Sequence, residues 1–500
     1  MRDNKVNFGS ETLPKNKRKM KIFLCLLLLC AAAGILVLFL FDRRTHHFRF
    51  DEVRKADIAA LSEENYDGLL LSMYTPKVFD AEDFNYYRAI PTAQAFHTFE
   101  NLSDIGDYLE HGFSHNANLS AVYIGLDPYA ISGLYGHHAS LYIRDYASYL
   151  TDYVQSYPDT HFELLLPSYP LDHLQALSDK EYEELITAYR NLVNLYTPHD
   201  NVVIYFVGYE EWLIANPGNY DNNSACKPDI AHTILTFTFQ DDHYALTPDN
   251  MEERFTQMTA LVQTPPTVYP DYSDYSIVFF GDSPIGNYHN SLSIPGVVAG
   301  LSGAHTYNLG LGGTSACGNR NPKVHTLNTI VDAFLAGDNS SFEESASPYF
   351  GISAYQTEHT ENLCFIINYG LNDYFFGMPI SSSDPLDPYT YMGSIRLAVG
   401  KLREVYPDCK IILATPNFTS YFGAGKDINS DVGGQMTDYV DAVLALSEEL
   451  DLDCMNNYVD FGITNENHGL YLEDGCHPNV SLRYTYGQHI IEKLSDMLSK

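Results

Sequence analysis

Four short segments in the C-terminal half carry side chains that could cooperate in acyl chemistry. They are Phe280-Gly281-Asp282-Ser283, Asn308-Leu309-Gly310-Leu311-Gly312-Gly313-Thr314, Gly370-Leu371-Asn372-Asp373 and Asp474-Gly475-Cys476-His477-Pro478. A serine hydroxyl is a weak nucleophile until a base stands beside it. A histidine three residues after an aspartate, stiffened by Pro478, can be oriented by that carboxylate to act as the base. Asn372 offers a neutral amide donor to developing negative charge. The glycines before Thr314 permit close approach of backbone to a ligand. No Lys-Ser/Thr follows that loop, as a phosphate-binding P-loop needs. No HExxH spacing of metal ligands is present.

Each segment alone has an ordinary structural explanation. In this order, each at a strand end or in a late loop, they resemble the GDS, NxGxxG, GxND and DxxHP blocks of the SGNH/GDSL hydrolase superfamily, over residues 274–500. The resemblance implies that Ser283 is the nucleophile, His477 the base and Asp474 the residue that orients it. It implies an oxyanion hole built from the backbone N–H groups of Ser283 and Gly313 and the side chain of Asn372. It further implies a three-layer flavodoxin-like fold, hydrolysis of a small acyl ester such as acetyl, and no cofactor or metal. Pro284 stands where the family usually has Leu, at a position that does no chemistry, and Cys476 beside the histidine is unusual.

The elements that must position these residues read as two strand–helix series, each an α/β unit. In the first, apolar runs fall at Gly68–Ser72, Ala121–Gly125, Phe162–Leu166 and Val202–Val207, with a helix over Asp179–Leu195. In the second they fall at Ser276–Phe280, Thr306–Leu309, Leu363–Asn368 and Lys410–Ala414. Such continuous runs suit parallel strands buried on both faces. Met392, Ile395, Val399 and Leu402 recur at helical spacing within Tyr389–Val405, just before Pro407. Gln263–Ser273, rich in Pro and Tyr, reads as the linker between units.

Ile22–Phe41 is an uncharged apolar run of about 20 residues, long enough to span a bilayer core. It continues well past the small residues Ala31 to Ala33, which favours a retained anchor over a cleaved signal peptide. Lys15, Lys17, Arg18, Lys19 and Lys21 precede it, against Arg43, Arg44 and Arg49 after it. That density places residues 1–21 in the cytoplasm and the remaining chain outside. The net charge of −35 repels phosphate backbones, so nucleic acid is excluded as a partner. The eight cysteines form no CxxC array; Cys25 and Cys30 lie in the span, and Cys364 sits in an apolar run as a small hydrophobe.

The expected organisation is a cytoplasmic tail (1–21), a transmembrane helix (22–41), a connector (42–60), a non-catalytic α/β domain (61–265) and a catalytic domain (274–500). The first domain resembles a second, diverged SGNH-like unit. Tyr74 stands where the nucleophile would be, and Ser224, three residues after Asp221, where the base would be. An envelope setting and 39 tyrosines suggest a carbohydrate ester as substrate. Two rivals share these residues: an O-acyltransferase, and a binding module without catalysis.

Overall fold

The apolar runs become strands because their residues alternate between two buried faces. In a computed structural model of the protein, residues 119–125, 150–220, 226–238, 242–420 and 434–499 are described, with the short strands at 68–72, 94–98 and 428–429 and a few positions between 106 and 114. The segment 22–41, Tyr74, Asp221 and Ser224 lie outside the described residues. Among the described residues no helix is long and apolar enough to cross a membrane.

The chain is α/β. The N-terminal unit holds a six-stranded sheet of β1 (Gly68–Ser72), β2 (Gln94–Thr98), β3 (Ala121–Gly125), β4 (His161–Leu165), β5 (Val202–Tyr205) and β6 (Ala245–Leu246), in the order β2-β1-β3-β4-β5-β6. All neighbours pair in parallel except β6, which is antiparallel to β5. The C-terminal unit holds β7 (Tyr275–Gly281), β8 (His305–Asn308), β9 (Asn362–Asn368), β10 (Lys410–Ala414) and β13 (Asp453–Met455), all parallel, in the order β13-β10-β9-β7-β8. A hairpin of β11 (Ile428–Asn429) and β12 (Gly434–Gln435) stands apart. Counted within each unit, the five parallel strands of both sheets run 2-1-3-4-5, a doubly wound order, and β6 adds a sixth, antiparallel strand to the first.

Strand periodicity decides what covers the C-terminal sheet. Ile277, Phe279, Cys364, Ile366, Ile412 and Ala414 join one cluster, packed on α2 (Ile294–Ser302) and α7 (Val480–Leu498). Val278, Phe280, Phe365, Ile367, Ile411 and Leu413 join the other, with α3 (Leu327–Ala336), α4 (Ser347–Thr357), α5 (Tyr391–Val405) and α6 (Met436–Leu450). Helix starts follow capping chemistry. Before α1 (Asp179–Tyr196), Ser178 and Glu181 bond reciprocally to each other's backbone N–H. The spacing suggests that α5 begins at Tyr389, but Thr390 is its N-cap and accepts from Gly393 N–H, so the helix begins two residues later, at Tyr391.

The 263–273 segment has almost no regular structure after Gln263, yet it is pinned. Tyr272 is buried and its N–H donates to Ser302 O at 2.7 Å. Tyr269 accepts from Gln488 at 2.8 Å. The apolar cluster behind the C-terminal sheet continues into the first unit, where it includes Leu164, Tyr189 and Trp212. Backbone meets backbone there as well: a Cβ on Gly218 would stand 2.3 Å from Gly300 Cα.

Candidate active site

The switch point of the second sheet lies between β7 and β9, the neighbours whose carboxyl ends carry Ser283 and Asn372. After β7 the chain turns at once into one helical turn, Ser283–Gly286. Pro284 fits there because the first helical positions need no N–H bond, so the departure from Leu leaves the turn intact. The same end effect leaves Ser283 N–H without an intrahelical acceptor.

His477 arrives from the other end of the unit. Its Nε2 lies 2.8 Å from Ser283 Oγ and its Nδ1 2.7 Å from Asp474 Oδ2. Asp474 Oδ1 accepts the N–H groups of Cys476 and His477, at 3.0 and 2.9 Å. Gly475 makes this turn possible, with φ +82° and a Cβ position only 2.5 Å from Ser420 Oγ. The site is open: the His477 side chain is 23% exposed and that of Asp474 50%. Partial burial raises the Asp474 pKa, but the backbone N–H and imidazole of His477 outweigh it and hold the carboxyl below its ordinary range.

The glycine-rich loop passes beside the serine. A Cβ on Gly312 would lie 3.7 Å from Ser283 Cβ, and Gly313, at φ +77°, faces open space. Asn372 Nδ2 donates to Thr314 O at 2.9 Å, which orients the amide and leaves its second N–H. The structure thus brings Ser283, Asp474 and His477 into one hydrogen-bonded chain. It ties Asn372 to the loop that carries Gly313.

Two acids that the sequence reading passed over lie directly behind these groups. Asp282 and Asp373 are both fully buried. Asp373 accepts from Ala316 N at 2.8 Å and Cys317 N at 2.9 Å, one on each oxygen, so it fastens the glycine-rich loop to the β9 end. Burial raises its pKa to about 6 despite those two donors. Asp282 is pushed up to about 8, by burial first and then by the charge of Asp373. Its Oδ2 has no hydrogen-bond partner, and burial favours the neutral acid. An acid flanking each motif residue was the available signal; its burial was not visible in the sequence. Burial also keeps the Cys476 thiol protonated, its pKa raised to about 12, so it acts as a small apolar filler. Among the described residues Cys317, Cys364, Cys409, Cys454 and Cys476 form no disulfide.

The raised acid has a consequence for stability. Between the unfolded value of about 4 and the folded value of about 8, the folded state holds a proton that the unfolded chain has lost. The contribution of Asp282 is therefore largest in acid and falls as pH rises across that window, by on the order of 1 kcal/mol per pH unit. Asp282→Asn should narrow its melting-temperature deficit, or gain, in the variant's favour from pH 5 to pH 8. Scanning calorimetry across that range checks it, and a constant wild type–variant difference contradicts it.

No family model and no curated protein matches the chain. Solved structures that match part of it include a protein from Lactobacillus plantarum, 18% identical, covering 47% of this chain and 98% of that one, with a TM-score of 0.33. A member of the lipolytic protein G-D-S-L family from Veillonella parvula is 13% identical, covering 45% and 99%, at 0.29. A salicylyl-acyltransferase from a tetracycline biosynthetic pathway is 13% identical, covering 47% and 56%, at 0.29.

Proposed function

We propose that this chain is a serine ester hydrolase of the SGNH/GDSL superfamily, with a three-layer flavodoxin-like catalytic unit over residues 274–500. The observation that carries this reading is the unbroken relay from Ser283 Oγ through His477 to Asp474, with contacts of 2.8 and 2.7 Å. In the reaction, His477 Nε2 takes the hydroxyl proton as Ser283 Oγ attacks the ester carbonyl. The resulting oxyanion is met by the N–H groups of Ser283 and Gly313 and by the free amide hydrogen of Asn372. The imidazolium returns its proton to the leaving alcohol, and the acyl group stays on Ser283. Water, deprotonated by His477, then attacks that acyl ester and releases the acid.

The substrate we assign is a small acyl ester, acetyl by preference, on an envelope carbohydrate. The anchor at 22–41 would hold the site outside the membrane, and the first unit, with the same strand order, would be a diverged non-catalytic copy. The exposure of His477 also favours a second reading, in which a sugar hydroxyl replaces water and the acyl group is transferred. Incubation with a short-chain aryl acetate, with and without a polysaccharide acceptor, separates them. Free acetate in both cases supports hydrolysis, acetylated polysaccharide supports transfer, and no turnover at all contradicts both.

Asn372→Ala should lower kcat by about 10²–10³ with a smaller change in KM, because its donor acts mainly in the transition state. Steady-state kinetics check this; an effect confined to KM would make Asn372 a substrate-binding residue.

A further inference from the structure

Arg483, in the first turn of α7, is a cation buried to 3% exposure that the proposed chemistry does not use. Burying a guanidinium costs several kcal/mol unless its donors are matched. Here they are, and the partners form a pattern. Nη1 donates to Glu473 Oε1 at 2.7 Å and to Pro478 O at 2.8 Å. These two acceptors flank the Asp474–His477 turn on either side. Nε donates to Leu292 O at 2.9 Å, and the guanidinium carbon lies 3.8 Å from the centre of the Tyr288 ring. Those two residues belong to the segment that follows Ser283.

The bridge closes through Glu473. Its second oxygen accepts the Tyr288 hydroxyl at 2.5 Å, and its backbone N–H donates to His477 O at 2.9 Å. Tyr288 is itself fixed, because its carbonyl accepts from Asn308 at 3.0 Å. Burial, then the charge of Glu473, raises the Tyr288 pKa to about 12, so the phenol stays a donor through the working range.

We propose that Glu473, Arg483 and Tyr288 form a positioning clamp that fixes the Asp474–His477 turn against the segment carrying Ser283 and so sets the distance between base and nucleophile. None of the three touches the reacting atoms. The clamp rests on the reading of Ser283 and His477 as nucleophile and base. Its physical reason is that the two segments come from opposite ends of the unit and are bridged here by these side chains. A displacement of about 1 Å between reacting groups can cost about 10² in rate.

The test uses Tyr288→Phe, which keeps the ring over Arg483 and removes only the hydroxyl, and Glu473→Gln, which removes the charge. Both should lower kcat on a short-chain aryl ester by about tenfold with KM within about twofold, a fraction of what a full 1 Å displacement costs. Combined with Asp474→Asn, Tyr288→Phe should cost little more than Asp474→Asn alone, since both act through the imidazole. Independently of turnover, amide hydrogen exchange of residues 474–478 should quicken about tenfold while α7 stays protected. Unchanged exchange in both variants would overturn the clamp, as would full activity in both or a loss that only tracks the unfolded fraction. A wild-type protein without esterase activity, but with exchange quickened in the variants, would strike the reading of Ser283 and leave the clamp standing.

Discussion

Ser283→Ala is expected to remove esterase activity by about 10⁶ in kcat, the scale seen when a triad nucleophile is removed from a well-studied protease, while leaving the fold intact. The second half of that statement comes from the setting. Ser283 opens a four-residue helical turn, where alanine is accommodated without loss of any backbone bond. Its hydroxyl has one partner, His477 Nε2, which is partly exposed and can take water in its place. Melting temperature should therefore stay close to wild type. Turnover close to wild type in a folded Ser283→Ala protein would refute the assignment of the nucleophile.

Asp474→Asn should cost about 10⁴ in kcat, for a reason specific to this turn. Oδ1 of Asp474 is held as an acceptor by two backbone N–H groups, those of Cys476 and His477. An asparagine here must keep its carbonyl at those donors, which directs its NH₂ at His477 Nδ1. The imidazole must then accept at Nδ1 and carry its proton on Nε2, the tautomer that cannot take a proton from Ser283. The half-exposed position of Asp474 reduces the purely electrostatic share, so the tautomer is the larger part of the effect. Kinetics on the purified variant check this. Full activity in Asp474→Asn would mean that the carboxylate neither orients nor charges the base.

The strands of the C-terminal unit were legible because parallel strands buried on both faces are written as unbroken apolar runs. Phe279, Phe280, Ile366 and Ile367 could belong to little else. The shorter elements were not. Gln94–Thr98 is a mixed polar stretch that pairs only because β1 offers it an edge, and Asp453–Met455 is three residues long. Such strands are defined by their neighbours rather than by their own period. Pro and Tyr in 263–273 marked the passage between units. The burial of Tyr272 against Ser302, and the shared apolar cluster, depend on packing that no local pattern records.

At the site, the resemblance of four short blocks to the SGNH/GDSL motifs nominated Ser283, Gly313, Asn372, Asp474 and His477. The interactions that hold them in place were hidden, for a common reason. Asp373 reaches residues 316 and 317, and Arg483 reaches Leu292, contacts separated by more than fifty positions in the chain. A buried carboxylate and a surface one look the same in sequence.

The most direct test of the central claim is covalent labelling with a fluorophosphonate, followed by peptide mapping of the adduct. The label requires a serine made nucleophilic by a neighbouring base. The account predicts a single adduct, on Ser283, that is absent from Ser283→Ala and strongly slowed in His477→Ala. A folded protein in which Ser283 stays unmodified, whether the label lands elsewhere or nowhere, would contradict it.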